Sequence, residues 1–464
     1  MTTRRHVLKA AGAWSAMLAM GRASAAQTPS DYKALVCVFL NGGNDAYNTV
    51  LRTDSTSWAN YTTVRNQEPS PIRLLAPGTA ADTSKSAGSP ERLGGVLALS
   101  PVTPVTGQEV ALHPNLGRLQ ALFNVRRKLA IVSNVGPLIQ PLTKEQVDAI
   151  NRGSAAGAGL KLPAKLYSHN DQQNTWMALG PEGRTQGWGG QLVDGFTTKG
   201  NTYSAVSLGG NAVWLSGQDV RQYQMGVNGA IALGGSSVYG STKVADALKR
   251  IASYGLAGNG ATGQLRGGHA LMADLGTIGQ RSINGEASVT TAFAALPVTD
   301  TRIGPNTRLQ YTNVNGGTVT NPLAQQLQAV ARMIGTRSAL GLGSGRQVFF
   351  VQMGGFDTHD NQNASHADLM AKLDHALGYF YECLEALGMH NQVTTFTMSD
   401  FGRTFTSNGD GTDHGWGSHQ FVMGGAVSGG TVYGRLPTYG VKSASSNAFD
   451  SPDQLGNGVM LPST

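Results

Sequence analysis

The sequence predicts an α/β fold, a mostly parallel sheet with helices on both faces. Three observations carry that expectation. Residues 34–40 (ALVCVFL) form a continuous apolar run, the pattern of a central strand covered on both sides. Residues 348–353 (VFFVQM) and 393–398 (VTTFTM) are two more β-branched or aromatic runs, and one long amphipathic stretch separates them, which describes a βαβ unit. Each run empties into a turn that carries a carboxylate: Asp45, Asp357 and Asp400 in chain order. Ligands of open α/β sheets sit outside the carboxyl ends of the strands, so these turns are expected to share one rim.

Residues 1–26 read as an export address and not as part of the fold. Arg4-Arg5 precede a mildly apolar stretch over 10–20, and Ala23-Ser24-Ala25 offers a small-residue cleavage site, the pattern of a twin-arginine leader. The stretch is about half the ~20 residues that a bilayer span needs, and no other run is long enough, so no stable membrane span is expected. The expected partner is the twin-arginine export machinery, and the expected location is the periplasm or the exterior. The leader holds four Lys/Arg and no acid, so the formal net charge of +7 becomes +3 without it. A chain this near neutrality gives no case for nucleic acid.

The 464 residues suffice for a large core, and residues 27–464 read as a single domain with insertions around 52–110 and 216–320. The Gly-rich turn 41–45 (NGGND) follows the first strand. Residues 52–110, rich in Ser, Thr, Pro and Ala, read as a long surface excursion. His113-Pro114 opens a helix over 115–125, and a strand is expected over 129–133. Residues 203–215 alternate as β structure does, and 216–320 are the least regular. Residues 321–334 form an amphipathic helix with Pro322 in its first turn, and 364–387 form another with Leu369, Leu373, Leu377, Phe380 and Leu384 on one face. A last apolar piece spans 421–423. Cys37 and Cys383 are too few for a disulfide framework and read as small buried hydrophobes.

Several residues have the chemistry of a metal or acid–base site. Asp357 and His359 are two apart, and Gly354-Gly355 permits the kink that would turn both toward one ion; the plain alternative is a helix cap. Asp400 closes a buried strand, and Arg403 offers a planar fork for an anionic group, or the two simply pair. His414 sits between Asp413 and Gly415-Trp416-Gly417, a loop too glycine-rich to need a structural histidine. Ser168 is a nucleophile only with a base or metal beside it, and is otherwise a turn serine. Its neighbour His169 is expected to point elsewhere. His366, near a helix start, is within reach of the site, and His375 is expected on the surface.

Taken together, LNGGNDAYN, HPNL, SHNDQQNTW, GWGGQL, GGFDTHDNQ, SDFGRT, GTDHGWGSH and GGTVYGRLP resemble the bacterial exported proteins called domain of unknown function 1501. The resemblance implies an alkaline-phosphatase-like fold, related to sulfatases and cofactor-independent phosphoglycerate mutases. It implies one or two divalent metal ions, zinc foremost, and a small anionic ester as substrate. By chain order Asp45, Asp357, His359, Asp400 and His414 resemble the metal ligands and Ser168 the nucleophile, and Arg403, from its own chemistry, is expected to help stabilise the anionic transition state. Three departures stand out. Phe401 occupies a position that is histidine in the better-known enzymes, Asp357 and His359 are two apart where four is usual, and the chain stops at Thr464 where relatives continue into a helix. The expected function is hydrolysis of phosphate or sulfate esters; the alternative is a degenerate binding or assembly protein on the same fold.

Overall fold

The computed structural model describes residues 29–463 apart from 231–245, 248–249 and 251–283. The twin-arginine leader and part of the 216–320 insertion lie outside the described residues. The first strand, β1 (Lys33–Leu40), is buried on both faces: Val36, Val38 and Leu40 enter one apolar layer, and Cys37 and Phe39 enter the other. This period of two is what a pleated strand imposes on its side chains.

Seven more strands complete the sheet: β2 (Leu129–Val135), β3 (Ala205–Ser207), β4 (Tyr223–Gln224), β5 (Arg346–Met353), β6 (Val393–Ser399), β7 (Ser418–Met423) and β8 (Thr431–Tyr433). Their order is β8-β2-β7-β6-β1-β5-β3-β4. Strand β1 lies between β5 and β6 and is parallel to both, and β7 is antiparallel to its neighbours β6 and β2. The other pairs, β5 with β3, β3 with β4 and β2 with β8, are parallel. An α/β fold is therefore present.

Helices α1 (Ala46–Thr49) and α2 (Ser55–Arg65) follow β1, and α3 (Gly117–Asn124) precedes β2. Helices α4 (His169–Ala178) and α5 (Trp188–Asp194) cover one face of the sheet, where Met177, Val193 and Trp214 meet Phe39 and Phe350. Helices α6 (Pro322–Gly335) and α7 (Gln362–Ala386) cover the other, with Leu327, Val330, Leu373 and Phe380 against Val38 and Phe349. Asn321 caps α6 by accepting from Leu323 and Ala324 N–H. Cys37 and Cys383 are free and lie in different layers, so the sheet separates them.

Three expectations change. The 52–110 stretch is only in part a surface excursion, because α2 brings Tyr61, Val64 and Arg65 into a buried layer with Tyr47 and Phe405. Strand pairing in 203–215 is confined to Ala205–Ser207, after which Gly209-Gly210 break it and Val213–Leu215 form a 3₁₀ turn. His375 is buried, and Asn321 Nδ2 donates to its Nδ1 at 3.1 Å. Among the described residues no helix is long and apolar enough to cross a membrane.

Candidate metal centre

The rim where β1, β5 and β6 end gathers the polar residues. Asp357 follows β5 and Asp400 follows β6. Strand β7 runs the opposite way, so the loop before it, with Asp413 and His414, arrives at that same rim. Helix α4 begins there with His169. Gly42, after β1, lets the chain through: its φ is +119°, and a β-carbon on it would lie 2.3 Å from the Asp357 nitrogen.

His169, Asp357 and His414 each offer a ligand atom, and these atoms lie within 4.8 Å of one another. His414 Nε2 is 3.1 Å from Asp357 Oδ1, and His169 Nε2 is 3.5 Å from Asp357 Oδ2. His359 adds its Nε2, 3.0 Å from Asp357 Oδ1 and 3.0 Å from His414 Nε2. All three imidazoles are held from behind. His169 Nδ1 faces Asp400 Oδ2 at 2.5 Å, His414 Nδ1 faces the Tyr167 carbonyl at 2.8 Å, and His359 Nδ1 faces Asp413 Oδ1 at 3.3 Å.

A carbonyl or carboxylate oxygen accepts only, so each Nδ1 carries a proton, and in the neutral ring each Nε2 is then a bare lone pair. Three lone pairs and a carboxylate then converge without enough donors among them. Such a set is repulsive unless a cation or shared proton lies between, and imidazoles backed by carboxylate or carbonyl oxygens are the common support of metal ligands. The donor set thus fits a divalent ion, with nitrogen and oxygen ligands of the kind zinc takes.

The electrostatics favour an ionised Asp357 and a neutral His414, while His169 is biased toward its protonated form, which an ion would have to displace. Asp357 is 42% exposed; its partial burial pushes the carboxyl pKa up, but the Arg403 hydrogen bond and charge, with His359 and His414, hold it below the ordinary value. The Asp400 hydrogen bond raises the His169 pKa, and burial, helped by Arg403, lowers that of His414. Asp400 itself is buried: its Oδ2 also accepts from Gly42 N–H at 3.2 Å and Gln173 Nε2 at 3.3 Å, and its Oδ1 has no partner.

The remaining expected site residues stand elsewhere in this arrangement. Asp45 is fully buried and takes both arms of Arg65, at 2.6 and 3.0 Å, with Gln362 Nε2 at 2.7 Å. Burial pushes its carboxyl up and Arg65 more than offsets that, so it stays ionised inside the fold. Asp400 does not pair with Arg403. Arg403 donates instead to Asp357 Oδ1 at 2.5 Å, Gly42 O at 3.3 Å, Thr412 Oγ1 at 3.2 Å and the Thr412 carbonyl. The Ser168 hydroxyl donates to Asp171 Oδ2 at 2.7 Å. His366 is buried against Asn44, 3.2 Å away, and edge-on to His113.

Sequence reasoning passed over His169, which its own neighbourhood could have pointed to. It follows Ser168 at the start of a helix, and a helix start in an α/β fold commonly faces the rim where strands end. Gln173, one turn further, was also missed.

Among solved structures, one titled "Crystal structure of Ps i-CgsB" aligns with 88% of this chain and 69% of its own at 10% identity, with a TM-score of 0.27. No curated protein matches the chain. A family model described as "Protein of unknown function (DUF1501)" matches residues 32–455, nearly all of the described chain, and the protein belongs to that family.

Proposed function

We propose that the protein is an exported, metal-dependent hydrolase of phosphate or sulfate esters, on an alkaline-phosphatase-like fold. One observation carries the reading: three imidazole Nε2 atoms face one carboxylate, and each ring is fixed behind by an oxygen. His169, Asp357 and His414 would hold a divalent ion, zinc foremost, with His359 as a fourth donor. When bound, such an ion supplies Lewis-acid chemistry toward charge that develops on an ester oxygen. Asp400 orients His169, the Tyr167 carbonyl orients His414, and Arg403 fixes Asp357 against the β1 turn and the histidine loop.

The export part rests on Arg4-Arg5 and the short apolar stretch after them. A twin-arginine route carries folded protein, so an ion can be loaded before export. The second reading, a binding or assembly protein on this fold, draws on Ser168: its hydroxyl is engaged by Asp171. Phe401 in place of a histidine favours it too.

The deciding measurement is metal content by mass spectrometry on protein purified without chelator, for wild type and for a His169→Ala, His414→Ala variant. About one equivalent in the wild type, lost in the variant, is expected. A folded wild type without metal would contradict the proposal. With metal present, failure to release product from any aryl phosphate or sulfate would shift the reading to the binding protein.

A further inference from the structure

Resting on that reading, the surroundings of the centre bear on which esters it accepts. The sole cation bonded to the centre among the described residues is Arg403, whose side chain has no exposed surface. Four of its five N–H groups are taken by Asp357, Gly42 and Thr412, and the side chain is buried among them. It therefore cannot turn outward to hold a phosphate oxygen without abandoning Asp357. Lys165, on the loop into α4, is exposed but turned to Asp171 and Glu182, at 3.4 and 3.8 Å.

Carboxylates, by contrast, reach the solvent around the centre. Asp413 is 57% exposed while contacting His359. Asp410 is exposed and accepts the Asn361 N–H at 3.0 Å, and Asp360, next to His359, is exposed as well. A divalent ion and Arg403 together carry three positive charges, and Asp357, Asp400 and Asp413 carry three negative ones. The inner balance is zero before Asp360 and Asp410 are counted. Among the described residues, no unpaired Lys or Arg is bonded to the centre to meet a substrate with two negative charges.

We propose that the site selects esters carrying a single negative charge, namely phosphodiesters and sulfate esters, over phosphate monoesters, which carry two near pH 8. In either accepted class, water supplies the oxygen that bonds to phosphorus or sulfur, and the bond to the leaving alcohol breaks. The alcohol oxygen takes one water proton, and the other stays on or leaves the acid product.

The test is a binding titration followed by visible absorption of the full chain loaded with cobalt(II). The probes are methyl phenylphosphonate, a monoanion, and phenylphosphonate, a dianion of nearly the same shape. The monoanion is expected to bind about tenfold or more tightly, and an Asp360→Asn, Asp410→Asn variant is expected to narrow the gap while still taking up cobalt. Equal or tighter binding of the dianion overturns the charge selection and leaves the metal reading standing, as does binding of neither probe. Failure of the wild type to take up cobalt removes the metal reading and this inference with it. Rates on bis(p-nitrophenyl) phosphate, p-nitrophenyl sulfate and p-nitrophenyl phosphate should follow the same order; the monoester fastest would again overturn the selection.

Discussion

Two buried carboxylates on the same rim are put to different use, and single substitutions separate them. Asp400 backs His169, so Asp400→Asn should keep the fold and weaken metal affinity by about 10- to 100-fold, measured by competition with a chelator. Unchanged affinity would mean that Asp400 does not support the ligand. Asp45 is instead half of a buried pair with Arg65. Arg65→Met strands that carboxylate and should cost about 3–5 kcal/mol in urea unfolding, with the metal stoichiometry of the surviving fold intact. An Asp45→Asn variant that folds but lacks metal would instead make Asp45 a ligand. Asp357, His359 and His414 were legible as candidates because polar residues in glycine-rich turns after apolar strands have few structural uses. His169 was passed over although it stands at a helix start; what its neighbourhood could not show is the residue that backs it, Asp400, 231 residues away. Arg403 looked like an anion receptor from its spacing to Asp400; the partner that geometry gives it is Asp357, 46 residues away.

Helices support each other here through side chains as well as apolar layers. The residue before α3, Leu116, makes no side-chain cap, and Asp374 of α7 takes over, accepting Arg118 and Leu119 N–H at 3.1 and 2.8 Å. Burial pushes the Asp374 carboxyl up to about 6, although both N–H groups oppose it. Asp374→Ala should lower unfolding stability by about 1–3 kcal/mol, and Asp374→Asn, which still accepts, by less. Equal losses for both would show that the cap contributes nothing. The strands β1, β5 and β6 and the helices α6 and α7 could be placed within a few residues from apolar run length and periodicity alone. Strand β7 could not be oriented that way: residues 421–423 are a short run, and its reversal is set by pairing with β2 and β6. The buried layer formed by α2 was missed because Ser- and Thr-rich sequence hides Tyr61 and Arg65.

Across the molecule, buried histidines outside the candidate metal centre tie stability to acidity; burial lowers His113 and His375 too, and the clearest cases are His366 and His419. Burial lowers His366 to about 4 and His419 to about 4. Both are neutral in the fold and take up a proton near pH 6.5 once unfolded. Between those values the unfolded chain binds more protons, so stability is full above pH 6.5 and declines as pH falls toward 4. The loss is up to about 3 kcal/mol for each histidine. The urea midpoint at pH 5 should lie below that at pH 7.5, and His419→Gln should flatten the slope; a midpoint constant down to pH 4.5 would contradict this.

The reversed strand β7 also sets when the centre can exist during synthesis. His414 stands in the loop before it, and the carbonyl that orients His414 belongs to Tyr167, 247 residues earlier. A ribosome must therefore release almost the whole chain before the donors can meet. Nascent chains halted ahead of residue 414 should fail to retain an ion, so ion retention becomes a readout of completed translation and folding, the state that the proposed export route would require.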